Sequence, residues 1–212
     1  MLKRTLFTLA LGFLAIGPAE AIPCLGVPDV TALPAAGCEA GPLVLSGFDV
    51  SASAGFTAAI IGIGNVLETA DGTAVRFQVL SIPPGRGGDI LLAYRVDVPG
   101  PGQLTSVDLA NNGILPPVTI GELVCRTAIV PGSTCAPEDR LATLVANVGE
   151  HVRVNLSSPA DPAFVFKDIA IGGFISDFTN SHGLTPVPEP ATLLLVTASL
   201  AGGAWAARRR RG

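Results

Sequence analysis

The sequence predicts an all-β body, an antiparallel β-sandwich of about eight to ten strands, flanked by an N-terminal signal helix and a C-terminal transmembrane helix. The first observation is strict apolar–polar alternation, seen at residues 75–79, 94–98 and 152–156. Alternation places one face of a strand on a core and the other in water. The second is that Gly- and Pro-rich turn signals separate these stretches, and the body shows no long segment with helical spacing of apolar residues.

The candidate strands recur about every ten to fifteen residues, a spacing typical of sandwiches. In chain order they are residues 43–50, 56–63, 75–79, 94–98, 118–124, 141–148, 152–156, 164–166 and 169–178. Turn signals lie between them at residues 71–72, 83–85, 99–102, 112–113 and 131–132. Residues 141–148 also fit a short helix, and that alternative stays open. The chain shows no fixed-period repeat, which argues against a solenoid or a propeller.

The N-terminal segment has the three parts of a secretory signal peptide in order. Lys3 and Arg4 are the positive region, residues 5–16 are the apolar region, and Ala19 and Ala21 are the small residues of a cleavage site. We therefore expect signal peptidase to cut after Ala21, so that residues 1–21 leave the mature protein. A buried N-terminal helix and a lipoprotein signal ending at Cys24 are the two alternatives.

The opposite end carries an uncharged apolar segment, residues 191–207, followed by Arg208, Arg209, Arg210 and Arg211. A helix of that length spans roughly 26 Å, slightly less than the hydrocarbon core of a membrane. Positive residues beside a span stay on the cytoplasmic side, so the four arginines are the predicted membrane stop. The segment is predicted to be a transmembrane helix that holds the body outside the inner membrane.

Pro188, Glu189 and Pro190 precede this helix, and the order of tripeptide, apolar helix and arginine cluster resembles the PEP-CTERM sorting signal. The resemblance implies an exported protein of a Gram-negative bacterium that an exosortase recognises, cleaves and releases to the cell surface or beyond. The flanking prolines keep the tripeptide extended, in a form that an enzyme can grip by its backbone. The alternative is a permanent single-span anchor that no enzyme cuts.

These assignments divide the chain into a signal peptide (residues 1–21), a β-sandwich body (22–180), a linker (181–187) and the sorting signal (188–211). The whole chain has a net charge of −4. Without the terminal segments seven basic and fifteen acidic residues remain, a net charge of −8. Such a surface argues against nucleic acid as a partner.

Four cysteines remain in the body, namely Cys24, Cys38, Cys125 and Cys135. An even number in an exported protein indicates disulfides, and four cysteines allow three connectivities. We favour the two local pairs, Cys24 with Cys38 and Cys125 with Cys135. Zinc is disfavoured because the sequence has no Cys-x-x-Cys pair.

The body also resembles a subset of PEP-CTERM proteins, in the strands at residues 41–48 and 89–96 and in a last strand pair at 166–169 and 176–180. In that resemblance residues 89–96 are the central strand. The resemblance implies an exported all-β body and transfers no catalytic residue.

The sequence shows no catalytic constellation, so we expect no enzyme, no cofactor and no metal centre. It contains no Gly-x-Ser-x-Gly nucleophile motif, and His151 and His182 are both expected to be solvated. Glu138, Asp139 and Asp161 have the oxygen ligands that calcium prefers, but solvated turn charges are the favoured interpretation.

The function expected from these patterns is that of a non-enzymatic exported protein, acting at the cell surface or in an extracellular polysaccharide matrix. Its expected partners are signal peptidase, exosortase and, transiently, the membrane. The alternative is a module that binds exopolysaccharide on a face of the sandwich, with or without calcium.

Overall fold

The computed structural model of the protein describes residues 20–52, 60–69, 72–80, 88–114, 117–129, 133–172 and 175–186. These residues form twelve strands in two sheets and two short 3-10 helices, Val30–Ala32 and Pro137–Asp139. The strands are β1 Ile22–Pro23, β2 Cys38–Ala40, β3 Leu43–Ala52, β4 Ile61–Thr69, β5 Gly72–Val79, β6 Gly88–Asp97, β7 Gly102–Asn111, β8 Val118–Cys125, β9 Arg140–Asn147, β10 His151–Ala160, β11 Ala163–Ile171 and β12 Asp177–Pro186. The predicted all-β sandwich is confirmed, although the strands exceed the predicted eight to ten.

The two sheets pack face to face, and the core lies between them. One sheet has seven strands in the order β1-β2-β3-β6-β11-β8-β9, and the other has five in the order β10-β7-β12-β5-β4. Only the short β1–β2 pair is parallel among the described strands; the other pairs are antiparallel. Strand β6, which contains residues 89–96, is the middle strand of the seven, as the resemblance implied.

Alternation explains which side chains enter the core. In β5, Val75, Phe77 and Val79 are buried while Arg76 between them is exposed. In β6 the inward set includes Tyr94, whose ring stacks on Phe48 at 5.4 Å between centroids. Burying each large apolar side chain stabilises the fold by roughly 1.5–3 kcal/mol.

Strand β9 resolves the ambiguity at residues 141–148 in favour of a strand. It pairs antiparallel with β8 from Thr119–Asn147 to Cys125–Arg140. Its buried residues alternate with exposed ones beyond Ala142, which is the period of a strand and not of a helix. Of the strand expected at residues 56–63, residues 56–59 lie outside the described part, and β4 continues to Thr69.

Strand β7 was not predicted, although it lies inside the five-stranded sheet between β10 and β12. Ser106 and Val107 are consecutive and both buried, so strict alternation is lost there. The register with both neighbouring strands shifts near Leu104. A bulge of this kind breaks the period of two on which the prediction depended.

The prediction of a linker at residues 181–187 is wrong, because residues 181–186 belong to β12. This strand pairs with β5 on one side and β7 on the other. Its polar and glycine-containing sequence resembles a linker, but two neighbouring strands satisfy its backbone groups. The strand predicted at residues 169–178 is also wrong: β11 ends at Ile171, and β12 begins at Asp177 in the other sheet. The two segments resembling a last strand pair are therefore not paired with each other.

Both disulfides are local. Cys24 is bonded to Cys38 and Cys125 to Cys135, with sequence separations of 14 and 10 residues. This confirms the favoured connectivity. The first disulfide ties the N-terminal segment to β2, and the second closes the loop between β8 and β9.

Residues 1–19 and 187–212 lie outside the described part of the chain. The predicted signal peptide up to its last two residues, the apolar segment at 191–207, Pro188, Glu189, Pro190 and the four arginines fall there. None of the helices in the described segments is long and apolar enough to cross a membrane.

Candidate functional site

A cleft opens between the two sheets at one end of the sandwich, with a volume of about 640 Å³. We call it the end cleft. The residues that line it are Glu39, Gly41, Pro42, Leu43, Val44, Glu68, Thr69, Gly72, Thr73, Val98, Pro99, Gly100, Pro101, Gly102, Leu184 and Thr185. Its volume lies within the range of roughly 300–1,000 Å³ found for small-molecule sites.

These residues come from the ends of six strands, β2, β3, β4, β5, β7 and β12, and from the segment between β6 and β7. Glu39 lies in β2 next to the β2–β3 turn, and Glu68 lies near the end of β4. Gly41 in that turn has φ +59°, and a Cβ there would lie 2.8 Å from Glu68 Oε1. This backbone conformation favours glycine, and a side chain at position 41 would displace the Glu68 carboxylate. The segment from Val98 to Gly102 connects β6 to β7 and closes the opposite wall.

The end cleft has acidic rims and an apolar floor. Glu39 and Glu68 are exposed, and neither side-chain carboxylate has an ion-pair or hydrogen-bond partner among the described residues. No Lys, Arg or His belongs to the lining within the described part of the chain. Leu43 and Val98 are buried at its base. The cleft therefore presents uncompensated negative charge above an apolar surface.

Thr73 connects the cleft to the interior. Thr73 is fully buried and lies in the wall of the end cleft, and its Oγ1 has no hydrogen-bond partner among the described residues. His182 is its cross-strand neighbour on β12, and both ring nitrogens of His182 also lack a partner. Unpaired buried polar groups are costly, so natural proteins keep few of them.

The sequence predicted that His182 is solvated and lies in a linker, and this prediction is wrong. It is 1% exposed and meets the Tyr94 ring edge-on at 6.4 Å. Burial, with a smaller contribution from the charge on Lys167, lowers the pKa of His182 to about 3. The imidazole is therefore neutral at physiological pH and serves as a buried ring rather than a surface base.

A polar network lies deeper between the sheets. Lys167 Nζ donates to Glu122 Oε2, and both side chains are completely buried. Asn180 Nδ2 contacts Glu122 Oε1 at 3.3 Å, and Tyr94 Oη donates to Asn180 Oδ1 at 2.6 Å. The network joins β6, β8 and β11 of one sheet to β12 of the other.

Burial controls the ionisation of this network. It lowers the pKa of Lys167 from its usual value, although the carboxylate of Glu122 opposes the shift. It raises the pKa of Tyr94 well above the ordinary value, with a further contribution from Glu122. Since the network is enclosed and its members pair with one another, it holds the sheets in register and offers no surface for a substrate.

The outer face of the five-stranded sheet carries the second histidine. His151 is exposed, as predicted, with its Nε2 3.3 Å from Asp108 Oδ1. Arg153 NH1 lies 4.0 Å from the other oxygen of Asp108. Nucleophilic catalysis needs a hydroxyl or thiol side chain that is hydrogen-bonded to a base. In the described residues, no such hydrogen bond joins a hydroxyl or thiol side chain to either histidine.

A second ion pair lies at the start of β12. Arg76 donates to both oxygens of Asp177 at 2.9 and 2.8 Å, and Asn112 and Ser176 donate to the same carboxylate. Burial alone would raise the pKa of Asp177, but these hydrogen bonds and the Arg76 charge lower it below its usual value. This cluster holds the β7–β8 segment against β12.

A smaller pocket of about 270 Å³ lies on the outer face of the seven-stranded sheet. Phe166 and Asp168 of β11 and Thr143 and Arg140 of β9 contribute to it. Burial and the nearby charge of Asp89 raise the pKa of the Asp168 carboxyl. Phe166 is an aromatic surface of the kind that sugar sites use, and the period-two pattern that predicted this strand also places its ring outward.

The residues considered for calcium do not form a site. Asp139 accepts from Thr127 Oγ1 at 3.0 Å, and Asp161 accepts from the backbone of Val98 at 3.0 Å. Glu138 is exposed in the second 3-10 helix. In the described segments, no three His, Cys, Asp or Glu side chains cluster closely enough to hold a metal ion.

Sequence reasoning missed Glu39, Glu68 and Thr73. No motif marks them, because they converge only when the ends of β2, β4 and β5 meet. The one local signal was the glycine- and proline-rich turn at residues 99–102, which was predicted and which lines the same cleft.

Three solved structures are similar to the chain at low identity. TmCBM61 in complex with β-1,4-galactotriose is 12% identical, with a TM-score of 0.34 and coverage of 66% of this chain and 89% of that one. TmCBM27, a carbohydrate-binding module described for mannan recognition, is 7% identical, with a TM-score of 0.31 and coverage of 68% and 99%. The enzymatically active domain of Bacteriophage CBA120 tailspike protein 4 is 10% identical, with a TM-score of 0.34 and coverage of 66% and 19%. All three TM-scores are below 0.5, so these likenesses carry no weight for the function of this chain.

No curated protein matches the sequence. The family model of the PEP-CTERM protein-sorting motif matches residues 186–211. This range contains Pro188, Glu189 and Pro190, the apolar segment and the four arginines on which the resemblance rested. The match begins at the last residue of β12 and leaves the sandwich itself without an assigned role. The chain therefore carries a segment, residues 186–211, that matches the PEP-CTERM protein-sorting motif and directly follows a two-sheet β body.

Proposed function

We propose that this protein is a non-enzymatic exported protein that exosortase sorts and processes, and that it acts at the cell surface or in an extracellular polysaccharide matrix. The observation that carries the proposal is the sorting motif at residues 186–211, contiguous with the folded body. Export also accounts for the two disulfides, which form and persist in oxidising compartments.

The position of β12 suits such processing. The strand is paired with β5 as far as Gly183 and with β7 as far as Pro186. The motif therefore starts where the sheet ends, and a cut within residues 187–190 leaves the body intact. Prolines at positions 188 and 190 favour an extended backbone, which a processing enzyme can bind as a strand.

The test is the intact mass of the protein recovered from the membranes, surface and medium of a producing strain, with and without its exosortase. We expect a body that begins at Ile22 and ends near Pro188, released from the membrane only when the enzyme is present. Replacing Glu189 with Gln and both prolines with Ala should retain the longer form on the membrane. An identical mass and location in both strains would reject exosortase processing and leave a permanent single-span anchor.

The second candidate function is polysaccharide binding by the body. The observation that favours it is the end cleft, an open inter-sheet site with unpaired polar groups and an apolar floor. Retention of the protein on the producer's own exopolysaccharide, with and without calcium, tests this function. Absence of retention under both conditions would reject it, and retention only with calcium would require a metal site that bridges the two.

The body is proposed to have no catalytic activity. The acidic groups of the end cleft are paired with no base or nucleophile within the described residues, and the buried network is closed to substrate. Incubation of the protein with the same polysaccharide and chromatography of the products checks this point. Shortened fragments would overturn it.

A further inference from the structure

The end cleft contains three polar groups whose bonding is incomplete. Glu39 and Glu68 are carboxylates without a cationic partner among the described residues, and Thr73 Oγ1 is buried without any hydrogen bond. The two carboxylates alone could be an ordinary solvated rim. The buried hydroxyl in the wall of the same cleft is a separate observation, because a buried polar atom without a partner lowers stability.

We propose that the end cleft binds a glycan that carries protonated amino groups, such as a polymer with unacetylated hexosamine residues. The proposal rests on the polysaccharide-binding function and adds to it the class of sugar. An ammonium group pairs with a rim carboxylate, and a hydroxyl of the same sugar can bond Thr73 Oγ1 once the side chains that cover it move aside. The carbon–hydrogen faces of the sugar rings pack against the exposed prolines of the lining, Pro42, Pro99 and Pro101.

Charge decides between sugar classes here. An acidic sugar would meet two unpaired carboxylates in a cleft whose described lining has no cationic side chain, and like charges at close range oppose binding. A neutral sugar can donate hydroxyl hydrogen bonds to Glu39 or Glu68, but it leaves the negative charge of both carboxylates uncompensated. A cationic sugar neutralises the carboxylate that it contacts. Its ammonium group also replaces the water that it displaces with a charge-assisted hydrogen bond.

Calcium is a weaker occupant for the same cleft. It takes six to eight oxygen ligands, usually with several carboxylates. The described residues contain no cluster of three potential metal ligands, and the cleft lining has only Glu39 and Glu68 as acidic members. A metal would leave most of the 640 Å³ cleft and its apolar floor without a role.

The experiment is calorimetric titration of the full-length protein in a neutral detergent, at low salt and with EDTA. The probes are the β-1,4-linked glucosamine tetramer, its fully N-acetylated counterpart, a trimer of galacturonic acid and spermidine. We expect the glucosamine tetramer to bind about three- to tenfold more tightly than the other three, because two exposed ion pairs together contribute a factor of about this size. The preference should decrease as the salt concentration rises.

Variants locate the site. Glu39→Gln together with Glu68→Gln should abolish the preference for the amine, while Glu138→Gln, an exposed acidic residue elsewhere, should leave it unchanged. Thr73→Val should weaken binding without destabilising the fold, because it removes an unpaired buried hydroxyl and keeps the shape of the side chain.

Each other outcome overturns the inference in a different way. Equal affinity for both tetramers rejects the amine preference but preserves saccharide binding. Spermidine bound as tightly as the glucosamine tetramer means a general amine site and rejects the glycan. If neither tetramer binds but the native exopolysaccharide retains the protein, the saccharide site lies elsewhere. If the native exopolysaccharide also fails to retain the protein, polysaccharide binding as a whole is rejected.

Discussion

Lys167 and Glu122 face each other across strands β11 and β8, hydrogen-bonded and fully buried between the two sheets. Removing two charges from water is costly, and their mutual attraction offsets that cost only while both are present. Asn180 and Tyr94 extend the pair to the opposite sheet. The alignment of the two sheets therefore depends on a polar network within a mostly apolar core.

The first prediction concerns this pair. Lys167→Met should lower the free energy of unfolding by about 3–5 kcal/mol, because it leaves the Glu122 carboxylate buried without its cation. Lys167→Met combined with Glu122→Met should lose much less, to within about 1–2 kcal/mol of the parent. Urea unfolding at neutral pH measures both. A double variant less stable than the single one would show that the pair is not coupled in this way.

The second prediction concerns the pH dependence that His182 causes. Its pKa is about 3 in the folded protein and 6.5 in an unfolded reference, so the unfolded chain binds more protons between these values. Stability is therefore complete above pH 6.5 and falls, by up to about 1.4 kcal/mol per pH unit, as the pH decreases towards 3.

Replacing this imidazole should remove that slope. His182→Phe keeps a ring beside Tyr94 and should flatten the stability profile between pH 6.5 and 4.5, while His151→Gln should keep it. Unfolding curves at several pH values measure the two slopes. Both variants retain the same carboxylates, so a difference between the slopes comes from the histidines. Equal slopes in the two variants would show that His182 is not the group responsible.

The third prediction concerns Asp177. Asp177→Asn should lose about 1.5–3 kcal/mol at pH 7, because it removes the charge-assisted hydrogen bonds from Arg76. The pKa of Asp177 is lowered in the fold, so its contribution is present above pH 3.8 and is lost as the pH falls further. The difference between the parent and the variant should therefore shrink in acid. A difference that is constant down to pH 2 would contradict this assignment.

The fourth prediction concerns the first disulfide. Replacing Cys24 and Cys38 with Ala should lower stability by about 3 kcal/mol, the value expected when a closed loop of about fifteen residues is opened. The Cys125–Cys135 disulfide closes a shorter loop, so the Cys125→Ala, Cys135→Ala variant should lose slightly less stability. Thermal or urea unfolding of the two variants gives the comparison. A fall much smaller than predicted in both would mean that the packed strands alone hold these segments.

Local patterns predicted much of this fold because they report on which face of a strand is buried. Val75, Phe77 and Val79 alternate with polar residues, and the structure buries all three. The cysteine spacing led to both disulfides, since short loops favour local pairing. The alternation pattern did not predict strand β7, because a bulge places Ser106 and Val107 together in the interior.

The functional groups were harder to predict because their meaning depends on distant neighbours. His182 stands in a polar stretch, and only the strands on either side of β12 explain why it is buried. Lys167 and Glu122 would each be expected at the surface of an isolated strand. Their pairing follows from the β8–β11 register, which joins residues 45 apart in the chain.

The sequence by itself determined the sorting motif, the strand-rich character of the body and the two disulfides, because each depends on residues close together along the chain. The tertiary structure alone decided the order of strands in each sheet, the buried Lys167–Glu122 pair and the end cleft with Glu39 and Glu68. The physical reason is that burial, charge pairing and cleft formation arise between strands remote in sequence, whose contacts exist only after the two sheets have packed.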